Sequence, residues 1–367
     1  MIKPLRFLTC LLGAGLLSAC VVAETGYKIE TVTDQVRSPW GIDWLPSGEM
    51  LITDKKGKLY RLKPERSLQA ISGLPEIDVN GQGGLLDVAV HPDYANNGWL
   101  YLSYSSPAGE GRGSNTAVMR ARLEGAALVD ARVLYKASPN TGRGQHYGSR
   151  IVLDGKGHLY FSIGDRGNRD ENPQSLSRDG GKIYRLTDDG KVPTDNPFID
   201  ESQALPAIYS LGHRNPQGMA MHPVTGAIWL HEHGPRGGDE VNIVKPGANY
   251  GWPILSYGVN YSGTEFAEGH TREGYESPIH YWVPSIAPSG MAFVTSERYP
   301  AWKGHLLVGS LKFGYIELCR LQGNKVVATE KLFEGIGRVR DVKQGPDGLI
   351  YVATENKGIV RLVPSEG

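Results

Sequence analysis

Residues 212–253 read GHRNPQGMAMHPVTGAIWLHEHGPRGGDEVNIVKPGANYGWP, and the alternation in this stretch decides the fold. Two short apolar runs, GMAM at 218–221 and AIWL at 227–230, flank the polar turn His222-Pro223-Val224-Thr225-Gly226. Runs of that length on either side of a Pro/Gly turn read as two strands of a hairpin. The dense polar clusters HRNPQ (213–217) and HEHGPRGGDE (231–240) then fall at the open end of that hairpin. Chemistry-bearing side chains are commonly carried on loops that a rigid scaffold positions. Locally satisfied turn residues are the alternative, and two charged, Gly-rich clusters around one hairpin argue against it.

The same unit recurs outward in both directions. Its copies are GIDWLPSGEMLITD from Gly41, LLDVAVHPDYANNGWLYLSYS from Leu85, SRIVLDGKGHLYFSIGD from Ser149, GMAMHPVTGAIWLHEHG from Gly218, GMAFVTSERYPAWKGHLLVGSL from Gly290 and RDVKQGPDGLIYVATE from Arg340. Most of the turns carry Pro-Ser-Gly, Asp-Gly or Pro-Asp-Gly types, which supply the backbone angles a tight reversal needs. A further strand follows several copies, as in KLYRLK, KIYRLT and IVRLVP. Repeats of several strands at blade-like spacing predict an all-β, six-bladed β-propeller. YKIETVTDQV, after the leader, has no hairpin partner and is expected to complete the last blade. A two-sheet sandwich would not need six like units.

The 367 residues include 48 Gly and 23 Pro, with 39 basic against 39 acidic side chains. That composition suits many short strands and turns and gives no electrostatic footprint for nucleic acid. Lys3 and Arg6 precede an apolar core at 7–17 that is too short to span a bilayer comfortably, so residues 1–23 read as an export signal. Leu17-Ser18-Ala19-Cys20 resembles a bacterial lipobox whose Cys20 would be lipidated, while Val21-Val22-Ala23 offers plain cleavage after Ala23. Either route exports residues 24–367, read as one propeller domain, to the periplasm or cell exterior. Only Cys319 then remains in the domain, leaving no internal disulfide.

A propeller brings the same end of every blade to one channel mouth, so motifs scattered along the chain can form one site. Just before the inner strands stand Gln82, His146, Arg214-Asn215 with Gln217, the segment 284–289, and Arg338 with Arg340. Lys312 follows the fifth hairpin and Asp165 the third. Arg214, Lys312, Arg338 and Arg340 gathered at one mouth imply a polyanionic ligand, carboxylate or phosphate. His146 is suited to general-base work near neutral pH, with Asp165 as its orienting carboxylate. His158 and His305, at turns, read as structural. His231-Glu232-His233 lacks the helical HExxH spacing, whereas Gly234, Pro235, Asp239 and Glu240 offer carbonyl and carboxylate oxygens suited to calcium.

The motifs GQGGLLDVAVHPD, QHYGSRIV, IGDRG, GHRNPQGMA, EHGPRGGDEVN, NYGWP, PSIAPSGMAF and RVRDV resemble, in order and over nearly all the chain after the leader, the soluble pyrroloquinoline quinone (PQQ)-dependent glucose/sorbosone dehydrogenase family. The shorter bacterial periplasmic aldose sugar dehydrogenases of that family are the nearest pattern. The resemblance implies oxidation of aldoses at C1 to lactones, with PQQ and Ca2+ as cofactors and electrons passed to an external acceptor. Carried over by motif, His146 is the base and Asp165 its orienter. Gln82, Arg214, Asn215, Lys312-Phe313-Gly314, Arg338 and Arg340 would contact PQQ. Gly234 and Pro235 would present carbonyls to one calcium, and Glu240 with the backbone of Tyr250 to a second. The chain is shorter than the larger glucose dehydrogenases of the family, which implies a more open sugar pocket and a monomer or weak dimer. Two other readings stay open on the residues alone: a calcium-dependent lactonase or other hydrolase, and a non-enzymatic binding propeller.

Overall fold

The computed structural model describes residues 26–365, so the leader with its lipobox and cleavage expectations lies outside the described residues. Six antiparallel sheets of four strands each make up the described chain. Each of the six repeats seen in the sequence supplies the two inner strands of one sheet. In the fourth blade these are Pro216–Met221 and Ile228–Glu232, followed by Asp239–Ile243 and His280–Trp282. Among the described residues a single short helix, Tyr94–Asn97, interrupts the second blade. No helix among the described residues is long and apolar enough to cross a membrane.

Burial explains why the second strand of each unit is the most readable. Met50–Asp54, Ile228–Glu232, Leu306–Ser310 and Ile350–Thr354 are buried at every position, because neighbouring blades cover both faces. Strands covered on both faces appear as continuous apolar runs. The outermost strand Lys325–Leu332 is mostly exposed and correspondingly polar. Tyr27–Thr33 pairs antiparallel with Gly358–Pro364, from Tyr27↔Pro364 to Thr33↔Ile359, so the first strand is the outer edge of the last blade. This matches the expectation for YKIETVTDQV.

The innermost strands do more than line the channel. In five blades their register breaks, between Pro39/Ile42, Leu85/Val88, Pro216/Gly218, Pro288/Met291 and Val339/Asp341. A bulge leaves its extra residue free of the ladder and re-aims the side chain. Trp40, Asp87, Gln217, Ser289 and Arg340 all stand within these breaks, and all are buried at the channel. Close approach there requires glycine: a Cβ at Gly41 would stand 2.5 Å from Asp87 Oδ1.

Arg150, from the third blade, pins the centre. Its Nη1 lies 3.0 Å from Asp87 Oδ1 of the second blade and 3.1 Å from Asp341 Oδ1 of the sixth. Nε donates to the Gln217 carbonyl of the fourth blade at 3.0 Å. The guanidinium lies 4.4 Å from the ring of Trp40 in the first blade. Ser289 of the fifth blade donates to the Arg340 carbonyl at 2.8 Å, which joins that blade to the cluster. Burial pushes the Asp87 carboxyl up and the Arg150 charge opposes it. Arg150→Met would strand two buried carboxylates and is expected to cost about 3–5 kcal/mol of stability. Urea unfolding of the variant measures this; a loss below about 1 kcal/mol would mean the pin is dispensable.

Candidate functional site

The site is built where the bulged inner strands meet the loops that follow the second strands. A central cavity of about 1260 Å3 opens at this end of the channel. Among the described residues its lining carries five cations, Lys55, Arg236, Lys312, Arg338 and Arg340, against one carboxylate, Glu355. Trp40 lines it with an aromatic ring, and Gln82, Gln217, His233, Gly234 and Pro235 add polar and backbone groups.

Arg340 is fixed on two sides. Its Nη1 donates to Gln217 Oε1 at 2.8 Å and its Nη2 to Glu355 Oε1 at 2.5 Å. Arg338 Nε donates to the other Glu355 oxygen at 2.9 Å and Nη1 to the Leu311 carbonyl at 3.0 Å. Burial alone would raise the Glu355 carboxyl, but the two guanidiniums outweigh it and hold it at about 2. Glu355 thereby neutralises part of the charge of the clustered cations, and Lys55 and Arg236 add to it. Lys312 lines the cavity with its ammonium 4.9 Å from the Phe313 ring. Phe313 and Gly314 stand beside the wall, Phe313 stacked parallel to Tyr315 at 6.2 Å and Gly314 in a turn with φ +68°.

Arg214 is not among these cations. It lies in an adjoining pocket of about 110 Å3, with Gln145, His146, Asp165, Gly167, Arg169, Trp252 and Asn260. Pro235 and Tyr261 line both spaces and join them. The reason is local: Arg214 Nη1 donates to the His233 and Gly234 carbonyls at 3.1 and 2.7 Å, which turns the guanidinium away from the channel axis. Its partner Asn215 is buried, accepts from Gly148 N–H at 3.1 Å, and has an Nδ2 without a partner among the described residues.

His146 holds the opposite wall of this pocket. Its backbone takes the left-handed region at φ +55°, a conformation a non-glycine residue holds only when its surroundings fix it. Gln82 Oε1 accepts from the His146 N–H at 2.8 Å and so helps fix it. The ring Nδ1 lies 2.6 Å from Asp165 Oδ1. Asp165 also accepts from Gly167 N–H at 2.7 Å and from Trp252 Nε1 at 2.9 Å. With both oxygens engaged and acceptor-only, the carboxylate requires Nδ1 to carry the proton, leaving the lone pair on Nε2. Burial pushes the His146 imidazole below its ordinary 6.5, while the Asp165 hydrogen bond pulls it back up. Burial would raise Asp165, but His146 and Arg214 outweigh it and keep it ionised.

The carbonyl-rich loop divides its duties differently from the expectation. Asp239 does not serve as a free cation ligand. It accepts from Gly234 N–H at 2.8 Å, from Ile286 and Ala287 N–H at 2.7 and 2.9 Å, and from Ser285 Oγ, which staples the 284–289 loop in place. Glu240 has no cation beside it among the described residues. Burial, and then the charge of Glu232, pushes its carboxyl up to about 8. A small cavity of about 10 Å3 lies between Glu240, Glu232, Gly212 and Tyr250, and nearby Asn242 Oδ1 is buried without a partner among the described residues. Two carboxylates beside a space for one small ion, with the Asn242 Nδ2 donating to both, offer hard oxygen donors of the kind that fits calcium. Gly234 and Pro235 line the large cavity; the Gly234 carbonyl accepts from Arg214 and retains a second lone pair. His158 and His305 are structural, hydrogen-bonded to Asp154 and to Leu321 N–H.

Sequence reasoning missed Lys55, Glu355, Trp40 and Trp252. Lys55 directly follows Met50–Asp54 and Glu355 directly follows Ile350–Thr354. These are the repeat equivalents of the position near Asp165, so the signal was present in the alignment of the copies. Trp252 gave no such signal, because it reaches Asp165 from an irregular loop 87 residues away.

Activity that depends on a neutral His146 should persist as pH falls through 6.5 and disappear only as pH falls through the depressed value. Asp165→Asn removes an influence that raises that value. It is expected to move the acidic limb of kcat/KM to lower pH while lowering kcat. A pH–rate profile checks this, and a limb moved upward would contradict the pairing.

The protein-family model described as Glucose / Sorbosone dehydrogenase matches residues 36–362. The aldose sugar dehydrogenase YliI of Escherichia coli is 43% identical over 347 residues, covering 93% of each chain. Quinoprotein glucose dehydrogenase B of Acinetobacter calcoaceticus is 28% identical over 423 residues, covering 90% of this chain and 86% of that one. Among solved structures, the apo-form of the soluble aldose sugar dehydrogenase from Escherichia coli superposes with a TM-score of 0.87 at 40% identity, over 92% of this chain and 99% of that one. The PQQ-bound aldose sugar dehydrogenase of Streptomyces coelicolor gives 0.75 at 26% identity, over 92% and 98%.

Proposed function

Because the chain belongs to the glucose/sorbosone dehydrogenase family, we propose that this oxidoreductase converts aldoses to lactones at C1, using PQQ and calcium and an external electron acceptor. The observation that carries the reading is the His146–Asp165 pair at 2.6 Å, opening beside a cavity with five cations. Those residues suit a flat polycarboxylate: Lys312, Arg338, Arg340, Lys55 and Arg236 supply charge, Gln82 an amide, and Trp40 an aromatic wall. Gly234 and Pro235 would offer carbonyls to the calcium nearest that cofactor, and Glu240 with the Tyr250 backbone to the second.

When bound, PQQ supplies an ortho-quinone that accepts a hydride, with calcium polarising its carbonyl. The protein's own part begins with holding the sugar. Tyr261 lines the passage between the two spaces and Arg214 the pocket beyond it, where they would orient sugar hydroxyls. His146 Nε2 takes the proton from the C1 hydroxyl. Asp165 keeps Nδ1 protonated and stabilises the imidazolium that forms, and Trp252 holds Asp165 in place. Packing around Trp252 limits water near the dyad. We also place the protein outside the cytoplasm, as a monomer or weak dimer, with Cys20 as the point of any lipid anchor. The hydrolase reading needs a metal held by side-chain carboxylates in the channel, and the channel centre is occupied instead by the Arg150 guanidinium.

The test is reconstitution of the apo-protein with PQQ and calcium, followed by dye reduction with aldoses. His146→Ala is expected to retain PQQ binding and lose on the order of a hundredfold in kcat. Parental turnover in that variant would remove His146 as the base. Chelation is expected to abolish dye reduction and lower Tm together, since an ion bound only by the folded chain stabilises it by mass action. The melting temperature of the metal-stripped apo-protein checks the second half without reference to activity, and an unchanged value would contradict it.

A further inference from the structure

A further cavity, of about 240 Å3, lies on the other side of the Asp165 turn from the His146 pocket. Two segments divide their residues between the two spaces. Gln145, His146, Asp165 and Gly167 line the His146 pocket, while Arg143, Arg166 and Asn168 line the further cavity. Segment 138–141, after Ala127–Lys136, and Arg178 with Asp179, before Lys182–Thr187, complete its wall. Among the described residues that wall carries three guanidiniums, Arg143, Arg166 and Arg178, against one carboxylate, Asp179. Asp179 is committed to other partners. It accepts from the Tyr135 and Tyr184 hydroxyls at 2.6 and 2.8 Å and from Ser138 N–H at 2.8 Å. Burial raises its carboxyl, and these bonds and the Lys182 ammonium oppose the rise.

Arg166 is only 1% exposed. Its Nη2 donates to the Arg143 and Ser114 carbonyls at 2.9 and 3.2 Å, and its Nη1 to the Gln145 carbonyl. The guanidinium lies 3.4 Å from the ring of Tyr147. These partners are neutral, and Nε has no partner among the described residues. Burial works against the Arg166 charge, and the carboxylates that favour it, Asp165 and Asp78, form no ion pair with it. A buried charge without a paired counter-charge is costly. Arg143 and Arg178 are exposed. Arg143 donates through Nη1 to the Gly167 carbonyl. Arg178 Nη2 meets Glu171 at 2.7 Å and its Nε donates to Asn172 Oδ1 at 3.2 Å, which leaves Nη1 open among the described residues.

We propose that this cavity binds a doubly charged tetrahedral oxyanion, as free phosphate or as a phosphomonoester. Guanidinium groups match phosphate oxygens in pairs, and the bonds are charge-assisted. The buried Arg166 supplies a fixed cation whose counter-charge the protein itself does not provide. Arg143 and Arg178 add two more, so a dianion answers charge that chloride or a monocarboxylate would leave largely unmet. Glu171 is the one carboxylate that competes for Arg178, and with 57% of its side chain exposed it is cheaply displaced. The site is independent of the aldose reading.

The experiment titrates inorganic phosphate and glycerol 2-phosphate calorimetrically into the full chain, at an ionic strength held constant with sodium chloride so that screening does not vary. Arg166 is left in place because it is buried, and the exposed residues around it are changed instead. Arg143→Ala and Arg178→Ala are each expected to weaken phosphate binding about tenfold, the weight of one charge-assisted contact. Glu171→Gln, which frees Arg178, is expected to tighten it about threefold, the weight of one exposed ion pair. A gain of affinity is a readout that a damaged fold does not produce. The central cavity also carries cations, so Lys312→Ala/Arg338→Ala is the control for phosphate bound there. Unchanged affinity in Arg143→Ala and Arg178→Ala, a loss confined to the Lys312→Ala/Arg338→Ala control, weaker binding in Glu171→Gln, or no saturable binding of either probe would each overturn the site. Glycerol 2-phosphate binding within about tenfold of phosphate assigns the site to phosphomonoesters, and a larger preference for phosphate assigns it to the free ion.

Discussion

The guanidinium of Arg150 is the contact on which the geometry of this propeller depends. Few backbone hydrogen bonds run between neighbouring blades, such as Leu128 N–H to the Ser72 carbonyl and Asp165 N–H to the Arg214 carbonyl, so packing and side chains must hold the sheets at fixed angles. Apolar clusters between neighbouring blades do most of this at larger radius. Near the axis the inner strands converge, and there is room for little besides bulged side chains. One arginine with rigidly directed donors can address several blades at once in a way a point charge cannot. The two carboxylates it meets, Asp87 and Asp341, are themselves held by the N–H groups of Ile151 and Ile42, in the third and first blades. The floor of the cavity and the register of Gln217 and Arg340 above it are therefore set by one charge cluster.

Above that floor, the protein separates charge recognition from proton transfer. Arg338 and Arg340 are braced by Glu355 and Gln217, so their orientation exists before any ligand arrives. Preorganisation of this kind lowers the cost of binding a rigid anion. His146 sits to one side, its imidazole kept neutral by burial and aimed by Asp165. Arg214 belongs to this second space. Its guanidinium is committed to backbone carbonyls, which limits its role as a counter-charge and suits it to shaping the pocket wall.

The fold was legible because the second strand of each unit is buried on both faces and has to be written as an apolar run. The six copies follow from that constraint, while the edge strand at 27–33 was legible as a strand left without a hairpin partner. The pairing of His146 with Asp165 could be anticipated, since both flank one hairpin. The charge balance could not be read in the same way. Glu355 is an unremarkable residue in TENKG until the ring brings it between two arginines, and Asp239 looks like a cation ligand until its four donors are counted. Trp252 escapes for a different reason. It acts through an irregular loop, where no periodicity ties sequence position to spatial position.

The pairing of Tyr27–Thr33 with Gly358–Pro364 has a consequence for how the molecule comes into being. Strands more than three hundred residues apart in the chain are joined, so the sixth blade is one strand short unless both are present. Until then an open row of backbone donors and acceptors is exposed on Gly358–Pro364 or its precursor, and such edges pair readily with the wrong chain. Contacts of this sequence separation form slowly, after the local hairpins. The seam then acts as a completeness check: a truncated product can build most of its blades and still fail to shut the ring.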